Sequence, residues 1–212
     1  MPTTSTGEET EKAIRQAAVR VIAKHGFEAA SLREIAKEVG IRAPSLYNYI
    51  KSKEKLLYDL LKEPLQAMIV EYRQRTEGMT DAAARLQVFT QVHLNFHLHS
   101  RLEVFIGNME LRSLTGPHYR TITALREEYA QLLQKIIEDG VAQGVFTAVE
   151  PRVVTLVMLG MLSGVCNWYR PDGTLSADEM VQLHLDLAFR ALGAKPPAAG
   201  KPAGRAARRA AG

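Results

Sequence analysis

Arg42, Ser45, Tyr47, Asn48 and Tyr49 crowd into one short stretch, with Ser31 and Arg33 before it and Lys51 and Lys53 after it. An asparagine can pair bidentately with adenine, and an arginine with guanine. Hydroxyls and the remaining cations suit phosphate oxygens. Any one of these residues is an ordinary solvated side chain. As a set on one element they point to nucleic acid. The element that must position them is Ser31–Leu56. Ser31 and Glu34 have the S-x-x-E spacing of a capping box. Leu32, Ile35, Ala36 and Val39 recur at helical spacing, and Gly40 follows as a stop. Ile41 packs the turn. A second helix is predicted over Ala43–Ile50, with Pro44 tolerated in its first turn and Leu46 and Ile50 facing inward. It is too short to stand alone and must pack on its neighbours. This arrangement is a helix-turn-helix, which sets its second helix in a major groove.

Two other groups carry chemistry. His93 and His97 lie four apart, a spacing that could hold a metal, with His99 nearby. No Glu follows His93 as in H-E-x-x-H, and Cys166 is distant, so no metal is expected and the histidines are read as pocket or interface residues. The second group joins Glu110-Leu111-Arg112 to Asn167-Trp168-Tyr169-Arg170-Pro171-Asp172-Gly173. An aromatic pair beside an arginine could stack a ring and hold a phosphate; equally, Arg170 would complement a helix C-terminus and Pro-Asp-Gly is a turn. No phosphate-binding glycine loop, no G-x-S-x-G and no nucleophile with its base can be picked out, so neither enzyme activity nor a cofactor is expected.

The chain has 212 residues, 46% of them apolar, which is enough for a small domain and a larger one. Its single cysteine suits a reducing compartment. No secretory signal and no uninterrupted apolar run of about 18 residues is present, so a cytoplasmic protein without a membrane segment is expected. The net charge of +4 comes from the tail, where Lys195, Lys201, Arg205, Arg208 and Arg209 leave the preceding chain slightly acidic. Residues 1–7 and the Pro/Ala/Gly-rich tail 194–212 read as disordered, the tail either solubilising or a weak DNA arm. Helices are predicted over Glu8–His25 and from Ser52 through Gln74, with a kink or break near Leu60 caused by Pro64. Others follow over Asp81–His99, Leu102–Leu114, Tyr119–Gly140, Pro151–Tyr169 and Ala177–Leu192. No alternating strand pattern occurs. The expected fold is all-α with about nine helices: an N-terminal three-helix unit over 8–52 and a larger helical domain over 53–193. Val153–Cys166 is apolar nearly all round, and Gly160 and Gly164 would let another helix approach closely.

Gly40, Leu46, Tyr47, Tyr49, Ile50, Ser52, Lys53, Glu54, Leu56 and Leu57 together resemble the N-terminal domain of TetR-type transcriptional regulators. Arg42 departs from the Ser or Thr cap that many members carry. The resemblance implies a homodimeric repressor on a palindromic operator, with Ser31, Arg33, Arg42, Ala43, Pro44, Ser45, Tyr47, Asn48, Tyr49 and Lys53 at the DNA. It also implies that the last two helices pair with their twofold mates, which places Gly160, Gly164, Leu183 and Leu187 at the dimer interface. The ELRSL and NWYRPDG runs are similar to a subgroup that senses acyl-coenzyme A thioesters in fatty-acid or steroid breakdown. Met68, Phe89, Phe96, Phe105, Met109 and Leu162 are then the expected apolar lining, with Arg112, Arg170 and Trp168 for the phosphates and the adenine. Another lipophilic or aromatic inducer, or a ligand-independent architectural DNA binder, fits the same residues.

Overall fold

The computed structural model describes residues 7–147 and 150–195, and every regular element among them is helical. In chain order these are α1 (Gly7–His25), α2 (Leu32–Val39), α3 (Ala43–Leu46), α4 (Lys53–Arg75), α5 (Ala82–His99), α6 (Arg101–Met109), α7 (Gly116–Ala142), α8 (Pro151–Trp168) and α9 (Ala177–Ala191), with a 3-10 turn at Leu111–Ser113. The expected all-α class and helix number therefore hold for the described residues. The segments expected to be disordered lie outside them, except Gly7, which opens α1, and Ala194 and Lys195.

The chain divides into two compact units, the first containing the described residues up to Val70 together with Ser100–Tyr129. This differs from a boundary after residue 52. Ile106, Leu114 and Ile122 share one apolar core with Ile14, Ile22, Phe27, Ile35, Leu46 and Leu57. The segment that follows α5 thus completes the small core that α1–α3 could not fill alone. α1 packs on α2 and on α6. Ser31 Oγ accepts from the Glu34 amide at 3.1 Å and caps α2. The Glu34 carboxylate turns to His25 Nε2, 3.1 Å away. Gly40 has φ +78° and bonds back to the carbonyls of Ala36 and Lys37, as a left-handed stop requires.

Three local expectations are corrected. The second helix of the motif is α-helical only over Ala43–Leu46. Tyr47, Asn48 and Tyr49 continue as tight turns, their amides bonding three residues back to Pro44, Ser45 and Leu46 at 3.0–3.3 Å. Pro64 does not break α4, which runs from Lys53 to Arg75. Leu60, Leu61, Met68 and Ile69 are buried on either side of it, and that packing outweighs one missing ladder bond. α6 stops at Met109, and α7 begins at Gly116, where φ is +50°.

The second unit contains Glu71–His99 and the described residues from Ala130 onward. Its centre is α5, against which α8 and α9 both pack. Leu86, Phe89, Val92, Leu94 and Leu98 are buried on several faces of α5. Tyr72 meets Phe89 edge-on, with centroids 5.7 Å apart. α9 starts with a complete capping box between Ser176 and Glu179. Arg85 donates to Asp139 at 2.7 Å, and Lys135 to the same carboxylate at 2.6 Å. After α7 the chain turns at Gly144 (φ +71°) and returns Phe146 onto Gly140. A Cβ on Gly140 would lie 1.9 Å from the Phe146 ring, which is itself edge-on to Phe189. Gly140→Ala is expected to destabilise the chain by about 1–3 kcal/mol through this overlap. A urea midpoint unchanged from wild type would contradict the close packing.

Candidate nucleic-acid interface and ligand-responsive core

α3 and the turn after it present a polar, aromatic surface. Tyr47 is 62% exposed, and Pro44, Asn48 and Tyr49 are also exposed. Leu46 and Ile50 are buried and fix this surface from beneath. Arg42 stands at the N-cap of α3 with its side chain unused for capping, and both Arg42 and Arg33 are exposed. Ala43 and Ser45 are half-buried. Burying Leu46 and Ile50 therefore leaves Arg42, Tyr47, Asn48 and Tyr49 displayed together without any role in the core. The Ser31 hydroxyl is engaged in capping α2.

Lys53 is a correction to the expected phosphate contacts. Its ammonium donates to the carbonyls of Phe27, Glu28 and Ala30 at 2.8, 3.1 and 3.1 Å and lies 4.5 Å from the Phe27 ring centroid. All three of its N–H donors are occupied by the turn that follows α1. Two carboxylates to which the sequence reading gave no such contacts hold the same end of the molecule. Buried Glu110 accepts from the Phe27 amide at 3.2 Å and from Ser113 Oγ at 2.9 Å. Glu54 Oε1 accepts from the amide and the hydroxyl of Thr115, both at 3.2 Å, and meets His118 Nδ1 at 3.2 Å. These bonds, the Thr115 amide first and His118 next, hold the Glu54 carboxyl below its usual range.

The expected ligand residues fall into both units. Met68 is buried and Phe105, Met109 and Arg112 are exposed in the first. Phe89 and Leu162 are fully buried in the second, with half-buried Phe96 and exposed Arg170. Trp168 is 58% exposed and stacks on His184, centroids 6.1 Å apart, so one of its two faces is occupied. Gly160, Leu183 and Leu187 are exposed and Gly164 is half-buried. A Cβ at either glycine would meet nothing within 4 Å. α8, with 18 residues, is long and apolar enough to cross a membrane. It is two-sided, however. Thr155, Met158, Leu162 and Val165 are buried, while Val153, Leu156 and Val157 are exposed.

His93 and His97 stack with centroids 3.9 Å apart and planes 8° apart. His93 Nε2 lies 3.1 Å from Ser163 Oγ, and His97 Nδ1 lies 2.8 Å from the His93 carbonyl. The rings lie face to face, with one His97 nitrogen committed to the backbone. Burial, then the neighbouring His97 and His184, pushes the His93 imidazole well below its ordinary value. Burial lowers His97 to about 4, against the bond to the His93 carbonyl.

Residues 14–60 match the family of bacterial regulatory proteins named tetR, and residues 79–192 match the tetracyclin repressor-like C-terminal domain. The chain belongs to the TetR family and is a DNA-binding transcriptional regulator. Among individual relatives, it is 27% identical over 172 residues to the HTH-type transcriptional repressor KstR2 of Mycolicibacterium smegmatis, covering 80% of this chain and 84% of that one. It is 26% identical over 168 residues to the fatty acid metabolism regulator protein of Bacillus subtilis, covering 75% and 83%. The crystal structure of AibR with isovaleryl coenzyme A and operator DNA is 25% identical with a TM-score of 0.76, over 89% of this chain and 99% of that one. KstR2 of Mycobacterium tuberculosis shares the fold, with a TM-score of 0.80 at 23% identity over 91% and 97%.

Both buried histidines have folded pKa values below the unfolded value near 6.5. Their contribution to stability is complete above that value and is lost as pH falls from 6.5 through about 4, because the unfolded chain takes up protons first. Glu54 and Asp139 are also held low, but they act only below the ordinary carboxylate range. Denaturant melts at pH 7 and pH 5 are expected to show a loss of about 2 kcal/mol for each buried imidazole, a loss that His97→Phe roughly halves. Equal stability at the two pH values would mean that these imidazoles are hydrated.

Proposed function

We propose that the chain is a cytoplasmic homodimeric repressor that binds a palindromic operator and is released by an acyl-coenzyme A thioester. The observation that carries the ligand class is the likeness, over nearly the whole of both chains, to AibR, which was solved with isovaleryl coenzyme A and operator DNA. Arg33, Arg42, Ala43, Pro44, Ser45, Tyr47, Asn48 and Tyr49 form the reading surface, and Ser31 supports it as the cap of α2. Half-sites of a twofold operator then lie about 34–36 Å apart, or a multiple of that. The second copy covers the exposed stripe of α8 and α9, where Val153, Leu156, Val157, Leu183 and Leu187 leave apolar surface in water. Val157, 66% exposed, lies in the N-terminal half of α8. An exposed stripe beside an equally long buried face suits a protein partner better than lipid, which would surround the helix. Arg170 is the cation assigned to the phosphates, and the open face of Trp168 is assigned to the adenine.

A mobility shift on DNA upstream of the chain's own coding region, with isovaleryl- or decanoyl-coenzyme A added, tests the reading. Release by the thioester supports it. Binding that no thioester alters would leave a ligand-independent DNA binder or a regulator of another lipophilic compound.

Asn48→Ala is expected to cost about 1–3 kcal/mol on the operator and little on random DNA, through loss of a base-edge pair. Equal losses on both would remove Asn48 from base reading. Lys53→Met is expected to lower the melting temperature without changing the salt slope of DNA binding, since its ammonium is occupied by carbonyls. A slope reduced by about one would restore it to the phosphates.

Gly160→Leu is expected to leave the monomer folded, because the added side chain meets nothing in its own chain. It is also expected to weaken the dimer at least tenfold by holding the facing helix away. Sedimentation equilibrium reads this directly. A native dimer would move the interface elsewhere.

A further inference from the structure

Thr76, Thr121, Thr123 and Thr155 each return the hydroxyl to the carbonyl four residues back, at 2.8–3.0 Å. Thr90 does not. It is fully buried in α5, and its Oγ1 has no hydrogen-bond partner. A buried hydroxyl gives up its bonds to water, so leaving it unpaired works against folding. The helix's own carbonyl is the usual remedy and is not used here.

Thr90, His93 and His97 stand at i, i+3 and i+7, on one stripe of α5. His97 Nδ1 faces the His93 carbonyl, which can only accept, so Nδ1 carries the proton and Nε2 is left as an acceptor. His93 Nε2 is placed on Ser163 Oγ. Burial, with the neighbouring His97 and His184, disfavours the charged form of His93, and burial disfavours that of His97. The Phe89 ring stacks on His93 with centroids 6.1 Å apart, and Leu86, Leu94 and Leu162 are buried in the same unit. The stripe runs from His97, which just touches solvent, inward to Thr90, which does not. It is a line of uncharged hydrogen-bonding groups inside an apolar unit. A phosphate or carboxylate would find no counter-charge in these three side chains. An uncharged oxygen would find a donor in Thr90 and, where it carries a proton, an acceptor in His97 Nε2.

We infer that the Thr90–His93–His97 stripe recognises an uncharged oxygen, a hydroxyl or ketone, on the apolar end of the inducer, with Thr90 as its hydrogen-bonding partner. This rests on the acyl-coenzyme A reading. The nucleotide end needs cations and has no place beside these residues, so the stripe takes the far end of the acyl group. The inducer is then an oxygenated acyl thioester and not a plain alkanoyl one.

The probes are octanoyl-, decanoyl- and dodecanoyl-coenzyme A and their ω-hydroxy counterparts, titrated by Trp168 fluorescence and by release of operator DNA. The wild-type protein is expected to prefer the hydroxylated member at one or more chain lengths by about fivefold or more, the scale of one buried hydrogen bond. Thr90→Val keeps the shape and removes the hydroxyl. It should reduce that preference to within about twofold, leave affinity for the plain thioesters unchanged, and melt at the same temperature or higher. Thr90→Ser should retain the preference, and Thr90→Ala stands in for valine if the latter disturbs packing. Plain and hydroxylated thioesters of equal strength, or a preference that survives in Thr90→Val, would overturn the inference while leaving the acyl-coenzyme A reading intact. If none of the six binds or releases DNA, both fall together.

Discussion

The reading end depends on how one turn, the one after α1, is held. A helix C-terminus and the turn behind it leave carbonyls without ladder partners. Here the Lys53 ammonium meets those of Phe27, Glu28 and Ala30, and buried Glu110 takes the Phe27 amide from the other side. Gly26 makes the turn at φ +78°, and a Cβ there would lie 3.6 Å from the Glu110 carboxylate. The turn fixes where α2 starts, and α2 fixes α3. The run Ser52-Lys53-Glu54 therefore has a structural explanation, residue by residue. Ser52 Oγ caps α4 by accepting from the Lys55 amide at 3.0 Å, Lys53 clamps the turn, and Glu54 bonds Thr115 and His118. It is charged and exposed-looking in the sequence, yet its heads point at the protein.

What was legible in the sequence was local. Ser31 and Gly40 each act within a few residues: Ser31 caps α2, although the Glu34 carboxylate goes to His25 and leaves the box half made, and Gly40 stops the helix. Pro64 misled because the proline rule describes an isolated helix, whereas α4 is buried on both sides of it. The shortened α3 was hidden for a similar reason: a four-residue helix and an eight-residue one have the same apolar spacing at Leu46 and Ile50. The joining of Ser100–Tyr129 to the reading helices was out of reach, since nothing in their sequences records that Ile106 and Ile122 share a core with Ile14 and Leu46. Lys53 and Glu110 failed in the same way, as their partners are far along the chain.

The candidate site was legible in proportion to exposure. Arg42, Tyr47 and Asn48 were found because a fold that buries Leu46 and Ile50 has only one place to put them. The lining residues were less accessible to such reasoning. Phe105 and Met109 look like core in a list of apolar residues, but both are exposed on α6. Trp168 reads as a free stacking surface until His184, sixteen positions on, is found against one face.

The second unit inverts the usual rule at two places. Valine and leucine stand outside on α8 and α9, while Thr90, His93, His97 and His184 stand inside. An apolar stripe in water and an unpaired hydroxyl in the core both leave the isolated chain less stable than a sequence that kept the rule. Their chemistry separates the two occupants. The outer stripe offers shape and apolar area, with two glycines whose missing side chains would meet nothing in their own chain, and that suits another helix. The inner stripe offers hydrogen bonds without charge, and that suits a small molecule with an oxygen where its hydrocarbon ends. α5 is the element that makes the inner arrangement specific. It is wrapped on several faces by α8, α9 and the aromatic ring of Tyr72, so its polar residues cannot swing out to water. They keep their direction, and a binding energy spent on them acts on the helix against which the rest of the unit packs.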